Sequence, residues 1–198
     1  MSIENQQTLE VYNNGVSEYI HGTVQQTDGP QKEWLDFVFL DIPVDARVLE
    51  IGSAFGRDAR YIIGKGYDVD LTDASTGFVD YLRKEGHVAE LLDIVRQALD
   101  KKYDVILACA VFLHFTTEDF RRAVINVRSM LGKDGRFAFS VKRGDGDEWT
   151  DNKMGAPRYF RYYQEAELGK ILDTLGMRII DSRVLSDKWI HVVCKVKV

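Results

Sequence analysis

Three acidic residues sit in or at the ends of short apolar runs. Glu50 lies within the run from Arg47 to Ile51, Asp73 follows Tyr67–Leu71, and Asp93 follows His87–Leu92. Between the first two comes the turn Gly52-Ser53-Ala54-Phe55-Gly56, and then Arg57. Glycine has no Cβ, so backbone there bends sharply and can lie against a ligand. Ala59, Ile62 and Ile63 follow at helical spacing, and a helix starting at Arg57 aims free N–H groups and its positive dipole end at the turn. A carboxylate at the end of the second run, 21 positions after Gly52, can accept hydrogen bonds from both hydroxyls of a ribose. This is the chemistry of holding a nucleoside. The sequence shows no catalytic triad, no paired carboxylates and no metal-ligand spacing. Of the four histidines, His114 alone stands at the C-terminal end of a central strand; His21, His87 and His191 have no partner pattern and read as structural or solvated.

The elements that would position these residues alternate in type. Strands are expected at 46–51, 67–71, 87–92, 103–109 and 136–141. Helices are expected at 57–64, from Ser75 to Gly86, at 94–101, and after the cap Thr116-Thr117-Glu118-Asp119 through Phe120, Val124, Val127 and Leu131. Tyr103–Cys109 is nearly all apolar, as a parallel strand covered on both faces requires. A last helix at 164–175 leads into a strand from Met177 to Leu185. A second strand alternates through Ile190, Val192, Cys194, Val196 and Val198 with period two. Ser186-Asp187-Lys188 joins those two strands, so they pair antiparallel. One or two amphipathic helices carrying Leu9, Tyr12, Val16, Tyr19 and Ile20 come first, and a further helix carries Trp34, Phe37, Val38 and Leu40. The reading is one domain, 1–198: a helical cap over 1–44, a Rossmann-like core over 45–198, and a loop over 142–163 on the active face. The fold class is α/β, a three-layer sandwich on a seven-stranded, mostly parallel sheet with an antiparallel last strand.

The turn is G-x-x-x-G with Ala54 where the dinucleotide fingerprint has its middle glycine, so a pyrophosphate fits poorly. The acidic residue and glycine turn, the segment Tyr103–His114, which is similar to the family's "Y-D-x-I-x-x-x-x-V-L-x-H" motif, and Leu131-Gly132-Lys133-Asp134-Gly135 together resemble class I S-adenosylmethionine-dependent methyltransferases of small-molecule type. The likeness spans roughly 45–198, and Ala54 is its one mild departure in the turn. The resemblance implies S-adenosyl-L-methionine (SAM) as cofactor and S-adenosyl-L-homocysteine (SAH) as product. It places the turn residues Gly52, Ser53, Ala54 and Gly56 at the methionine end and the ribose, Asp73 at the ribose, and Asp93 and Ile94 at the adenine, with Glu50, Arg57 and Ala74 also among the cofactor-binding residues. The cofactor ammonium would face the backbone of Cys109 and Ala110. Tyr12 and Tyr19 resemble the family's N-terminal lid; a helix that merely caps the sheet edge is the competing reading. Asp73 competes with a role as helix N-cap, for which Ser75 is the rival, and Asp93 with capping of the helix 94–101.

Basic and aromatic residues interleave around the loop 142–163. Lys142, Arg143, Arg158 and Arg161 could meet an anionic substrate group, with Tyr163 beside them; alternatively they are a solvated face paired with Asp145, Asp147 and Glu148. Methyl transfer from a sulfonium needs a base only if the acceptor must lose a proton. His114 and Tyr162 are then the catalytic candidates.

The 198 residues carry a net charge of −5, with 45% hydrophobic and 29% charged residues. That is ordinary for a globular chain, with no basic face for nucleic acid and no membrane-spanning run. The polar start, Met1 to Gln7, lacks a secretory signal, so a cytoplasmic location is expected. Cys109 and Cys194 read as buried thiols, and no metal site is expected. The expected partner is a small molecule carrying an anionic group, with the chain a monomer or homodimer. The rival functions are methylation of a protein or RNA, a non-catalytic SAM-binding protein of the same fold, and an NAD-dependent oxidoreductase, which the turn spacing disfavours.

Overall fold

Val48–Ile51 (β1) is buried at all four positions because helices cover both sides of the strand. The same holds along Tyr103–Ala108 (β4), where Val105, Ile106, Leu107 and Ala108 have no exposed surface. Each such large aliphatic side chain contributes about 1.5–3 kcal/mol by leaving water. The computed structural model describes residues 1–197. Strands β1, Val69–Asp73 (β2), Ala89–Leu91 (β3), β4 and Leu131–Arg143 (β5) pair in parallel in the order β3-β2-β1-β4-β5. Met177–Leu185 (β8) and Trp189–Val196 (β9) complete that edge. β9 runs antiparallel to both β5 and β8. Ser186 and Asp187 both adopt φ of 52°, the left-handed pair that a tight hairpin turn between twisted strands requires. The alternation expected to end at Val198 is seen as far as Val196; Val198 lies outside the described residues.

Helices cover both faces. Gly29–Val38 (α3), Arg57–Ile63 (α4) and Thr76–Lys84 (α5) bury Trp34, Leu35, Val38, Ala59, Ile62, Val79 and Leu82 in one apolar cluster. Thr117–Met130 (α6) and Glu165–Thr174 (α7) bury Phe120, Val124, Val127, Leu168 and Leu172 in the other. Arg136 donates to the carbonyls of Val38 and Leu40, tying the C-terminal end of α3 to β5. Ile3–Asn14 (α1) and Val16–His21 (α2) lie above the C-terminal edge of the sheet. Ser2 caps α1, and Tyr12 and Tyr19 both face Phe78 of α5.

Two expectations need correction. The segment 142–163 is not a loop: Asp147–Thr150 (β6) and Arg158–Tyr163 (β7) form an antiparallel hairpin. β7 pairs in parallel with Lys142 and Arg143 of β5. Lys142 also pairs with Trp189 of β9, so β7 takes the edge of β5 that β4 vacates at Ala108. The hairpin therefore stands over the carboxyl end of β4. The described residues form nine strands, the expected seven plus this hairpin. The expected helix 94–101 is only a turn. Ile94 and Val95 are both buried, and Asp93 closes the turn by accepting the Val95 N–H at 3.0 Å and, through its carbonyl, those of Arg96 and Gln97.

Candidate active site

The sheet order reverses between β1 and β4, which opens a crevice at the carboxyl ends of those strands. The turn after β1 forms one wall. Gly52, Ala54 and Gly56 all have positive φ, at 71°, 48° and 77°. A Cβ on Gly52 would stand 2.4 Å from Val111 Cγ2, so only glycine fits there. Asp73 fastens the turn: its Oδ2 accepts the Ala54 N–H and its Oδ1 the Ser75 N–H, both at 2.8 Å. Burial raises the Asp73 carboxyl to about 6, against the lowering by those N–H donors. The cap of α5 is Ser75, whose Oγ accepts the Phe78 N–H.

Glu50 is 3% exposed, and its Oε2 has no hydrogen-bond partner. Burial, then the charge of nearby Asp58, raises its carboxyl to about 8. Asp58 is itself gripped by Arg57 through Nε at 2.8 Å and Nη2 at 2.9 Å, and by the Thr27 hydroxyl at 2.6 Å. Arg57 is thus committed to its neighbour.

Ile51, Gly52, Ala54, Ala74, Asp93, Ile94 and Val111 line the crevice, and Tyr12 and Tyr19 roof it. Its free volume is about 100 Å³. A cavity of about 590 Å³ adjoins it under the β6–β7 hairpin. Arg57, Ser140, Lys142, Glu148, Lys153, Arg158, Phe160, Trp189 and His191 are on its walls. Tyr12, Tyr19, Cys109, Ala110 and His114 border both spaces and mark their junction.

A hydrogen-bond chain crosses that junction. His114 Nδ1 is 2.7 Å from the Tyr159 carbonyl, which can only accept, so Nδ1 carries the proton. Its Nε2 then accepts from Tyr12 Oη at 2.8 Å, and Tyr12 Oη accepts from Arg158 Nη1 at 2.8 Å. Burial pushes His114 down to about 3, so the ring is neutral. Burial also pushes the Tyr12 phenol and the Cys109 thiol upward.

The structure brings Lys142 and Arg158 into the larger cavity but not the other candidates for substrate contact. The period of two along β7 explains the split. Arg158 and Phe160 share one face; Arg161 and Tyr163 share the other. Arg161 bonds Glu167 at 2.7 Å, and Tyr163 packs in the core 5.4 Å from Phe120. The Tyr162 hydroxyl bonds Glu148. Arg143 and Tyr162 are outside both linings. Ser140, His191, Asn152 and Lys153 are among the cavity residues not singled out from the sequence. Ser140 was signalled only as a polar residue inside an apolar strand, and His191, read as structural or solvated, as a polar position alternating with Ile190 and Val192. Asn152 and Lys153 carried no signal, since only the hairpin places them.

A crevice with a glycine cradle, a buried carboxylate with one oxygen unpartnered and an aspartate at a strand end can hold a nucleoside with a cationic tail. Residues 49–137 match a family described as a methyltransferase domain. No curated protein sequence matches the chain. Among solved structures, the DhpI–SAM–HEP complex superposes with a TM-score of 0.78 at 17% identity, covering 98% of this chain and 99% of that one. The 1,6-didemethyltoxoflavin-N1-methyltransferase of Burkholderia thailandensis, solved with 1,6-didemethyltoxoflavin and SAH, gives 0.75 at 18% identity over 100% and 92%. The CcbJ methyltransferase of Streptomyces caelestis gives 0.77 at 16% identity over 95% and 98%. At these identities the likeness is one of fold, the Rossmann-like fold of methyltransferases.

Proposed function

On the premise that residues 49–137 form a methyltransferase domain, we propose that this chain transfers the methyl group of SAM to a small molecule carrying an anionic group. The observation that carries the reading is the turn 52–56, strapped by Asp73 and following Glu50, whose buried Oε2 has no hydrogen-bond partner. Gly52 and Ala54 leave room beside the backbone for the methionine portion, and Glu50 supplies a carboxylate for its ammonium. Asp73 keeps a second lone pair on each oxygen for the ribose hydroxyls. Asp93 and Ile94 lie where an adenine would rest. Bound SAM supplies a methyl group already activated on a sulfonium. What is left for the protein is to place the acceptor in line and exclude water.

The small-molecule acceptor is supported by the larger cavity's place between the hairpin and the α1–α2 cap. The net charge of −5 weighs against RNA. Tyr12 and Tyr19 act as the cofactor's cover. The crevice beneath them is narrower than a nucleoside, so α1 and α2 must shift when SAM enters.

Calorimetric titration tests the reading. SAH should bind and NADH should not. If SAH fails to bind, or NADH binds as well, the assignment is wrong. A non-catalytic SAM-binding protein would bind SAH yet produce none from SAM with any acceptor.

A further inference from the structure

We propose that the acceptor is an oxyacid, bound as its anion between Arg158 and Lys142, and that the methyl group goes onto one of its oxygens. The proposal rests on the methyltransferase reading above.

The first support is unbalanced charge. Arg158 is 4% exposed and has no carboxylate partner among the described residues. Its guanidinium donates only to the Tyr12 hydroxyl and, at 2.6 Å, to the Asn152 carbonyl, and its Nε–H has no acceptor. A buried cation without a counter-ion is costly. Lys142 lies 4.3 Å above the Phe160 ring and Lys153 lies 3.9 Å above the Tyr19 ring, each likewise without an ion-pair partner among the described residues. Desolvation, then the charge of Arg158, lowers Lys153 to about 8. The acids on the cavity wall stand at its rim: Asp28 caps α3, and exposed Glu148 takes the Tyr162 hydroxyl. The interior therefore asks for an anion.

The second support is that none of the side chains bordering both spaces is a usable base. Arg158 reaches the junction through Tyr12, so an anion on Arg158 sits where the two spaces meet. Both nitrogens of His114 are already engaged, and burial keeps its ring neutral down to about pH 3. Tyr12 and Cys109 hold their own protons. None of these groups takes a proton from an alcohol or an ammonium, whereas an oxyanion has none to lose. A lone pair of that oxygen forms the O–CH₃ bond as the S–CH₃ bond breaks. The electron pair stays on sulfur, which becomes a neutral thioether, and the acid becomes its methyl ester. The ester carries one negative charge fewer, so its hold on Arg158 weakens on release.

The test uses the full chain with SAH, and phenylacetate and phenylphosphonate as probes, against phenylacetamide and phenethylamine. Calorimetry should show at least one acid binding about tenfold or more tighter than both controls. Arg158→Gln and, separately, Lys142→Gln should each lose about tenfold of that affinity, while Arg158→Lys should keep part of it. With methyl-labelled SAM, the carboxylate arm should give label that alkali releases as methanol. The phosphonate arm should give a monomethyl ester by mass. Which arm is used distinguishes the two oxyacids. If SAH binds but neither acid binds better than the amide and amine, or the label is found on nitrogen or carbon, the oxyacid proposal is overturned and the methyltransferase reading stands. If SAH does not bind, both fall.

Discussion

Tyr12 and His114, 102 positions apart, meet at 2.8 Å between Oη and Nε2. The bond joins the N-terminal cap to the carboxyl end of β4, and Arg158 extends it to the β6–β7 hairpin. Tyr12→Phe removes the shared oxygen and leaves both a buried imidazole nitrogen and a buried guanidinium unsatisfied. The expected loss is about 1–3 kcal/mol of unfolding free energy, the usual cost of stranding a buried polar group. SAH affinity should fall with it, because the cap loses its anchor. Urea unfolding and SAH titration of the variant check this; a stability equal to the parent's would show the bond contributes nothing.

The neutral state of His114 makes a prediction about acid. In the folded chain its pKa is depressed to about 3 from 6.5, chiefly by burial. The unfolded chain therefore takes up a proton near pH 6.5 that the folded chain refuses. Stability from this group is full above pH 6.5 and is lost as pH falls toward 3, at up to about 1.4 kcal/mol per pH unit. His191, lowered to about 4 by burial, acts in the same direction. His114→Asn should flatten the slope of unfolding free energy between pH 6.5 and 4. An unchanged slope in that variant would exclude His114 as its source.

Much of the fold could be read from periodicity, because buried parallel strands such as Tyr103–Ala108 leave continuous apolar runs and α6 leaves a helical stripe. The turn 52–56 was readable for a different reason: its φ values admit few residue types. The β6–β7 hairpin was not readable. Asp147–Thr150 is mostly exposed and has no alternation of buried and exposed positions, and it pairs only with Arg158–Tyr163, which finds the free edge of β5. The substrate candidates divide in the same place. Arg158 and Arg161 look equivalent along the chain, yet an odd separation on a strand sends them to opposite faces. The helix expected at 94–101 failed because Asp93 caps a turn as readily as a helix. The Tyr12–His114–Arg158 chain joins three distant segments, and nothing local encodes it.

Gly52 and Gly66 separate two costs of a side chain. Both have left-handed φ, 71° and 96°, but a Cβ on Gly52 meets Val111 at 2.4 Å while one on Gly66 meets nothing within 4 Å. Gly66→Ala should cost about 1–2 kcal/mol, the backbone penalty alone. Gly52→Ala should cost more and abolish SAH binding, because Val111 must move into the crevice wall. Chemical unfolding and calorimetry on the pair check this. Equal losses of stability, with SAH binding intact in Gly52→Ala, would remove the turn from the site.

Asp73→Asn keeps the shape of the side chain but removes its charge. One amide oxygen can still accept from Ala54 or Ser75, while the NH₂ opposes the other donor. Nucleoside binding should weaken by about 1–3 kcal/mol, the scale of a charge-assisted hydrogen bond. Adenosine alone, titrated by calorimetry, should show most of the loss, since the assigned contact is to its ribose. A loss confined to SAH and absent for adenosine would move Asp73 to the amino-acid end.

Glu50 sets stability against binding. Its folded pKa is raised to about 8 from 4.5, so in the unliganded protein the carboxyl keeps a proton that the unfolded chain releases. The sign is therefore opposite to that of a salt-bridged acid: this group makes the fold less stable as pH rises from 4.5 to 8, at up to about 1.4 kcal/mol per pH unit. Glu50→Gln removes the penalty, and the unliganded variant should be more stable than the parent at pH 8. The same change should weaken SAH, whose ammonium loses its carboxylate. Because the ammonium favours the ionised form, SAH binding to the parent should release a proton near neutral pH and tighten as pH rises toward 8. Calorimetry in buffers of different ionisation enthalpy reads that proton directly, and in Glu50→Gln it should vanish. A binding heat independent of buffer in the parent would mean that Glu50 is already ionised or does not face the ligand, and the stabilising effect of the substitution would be lost in the first case and kept in the second.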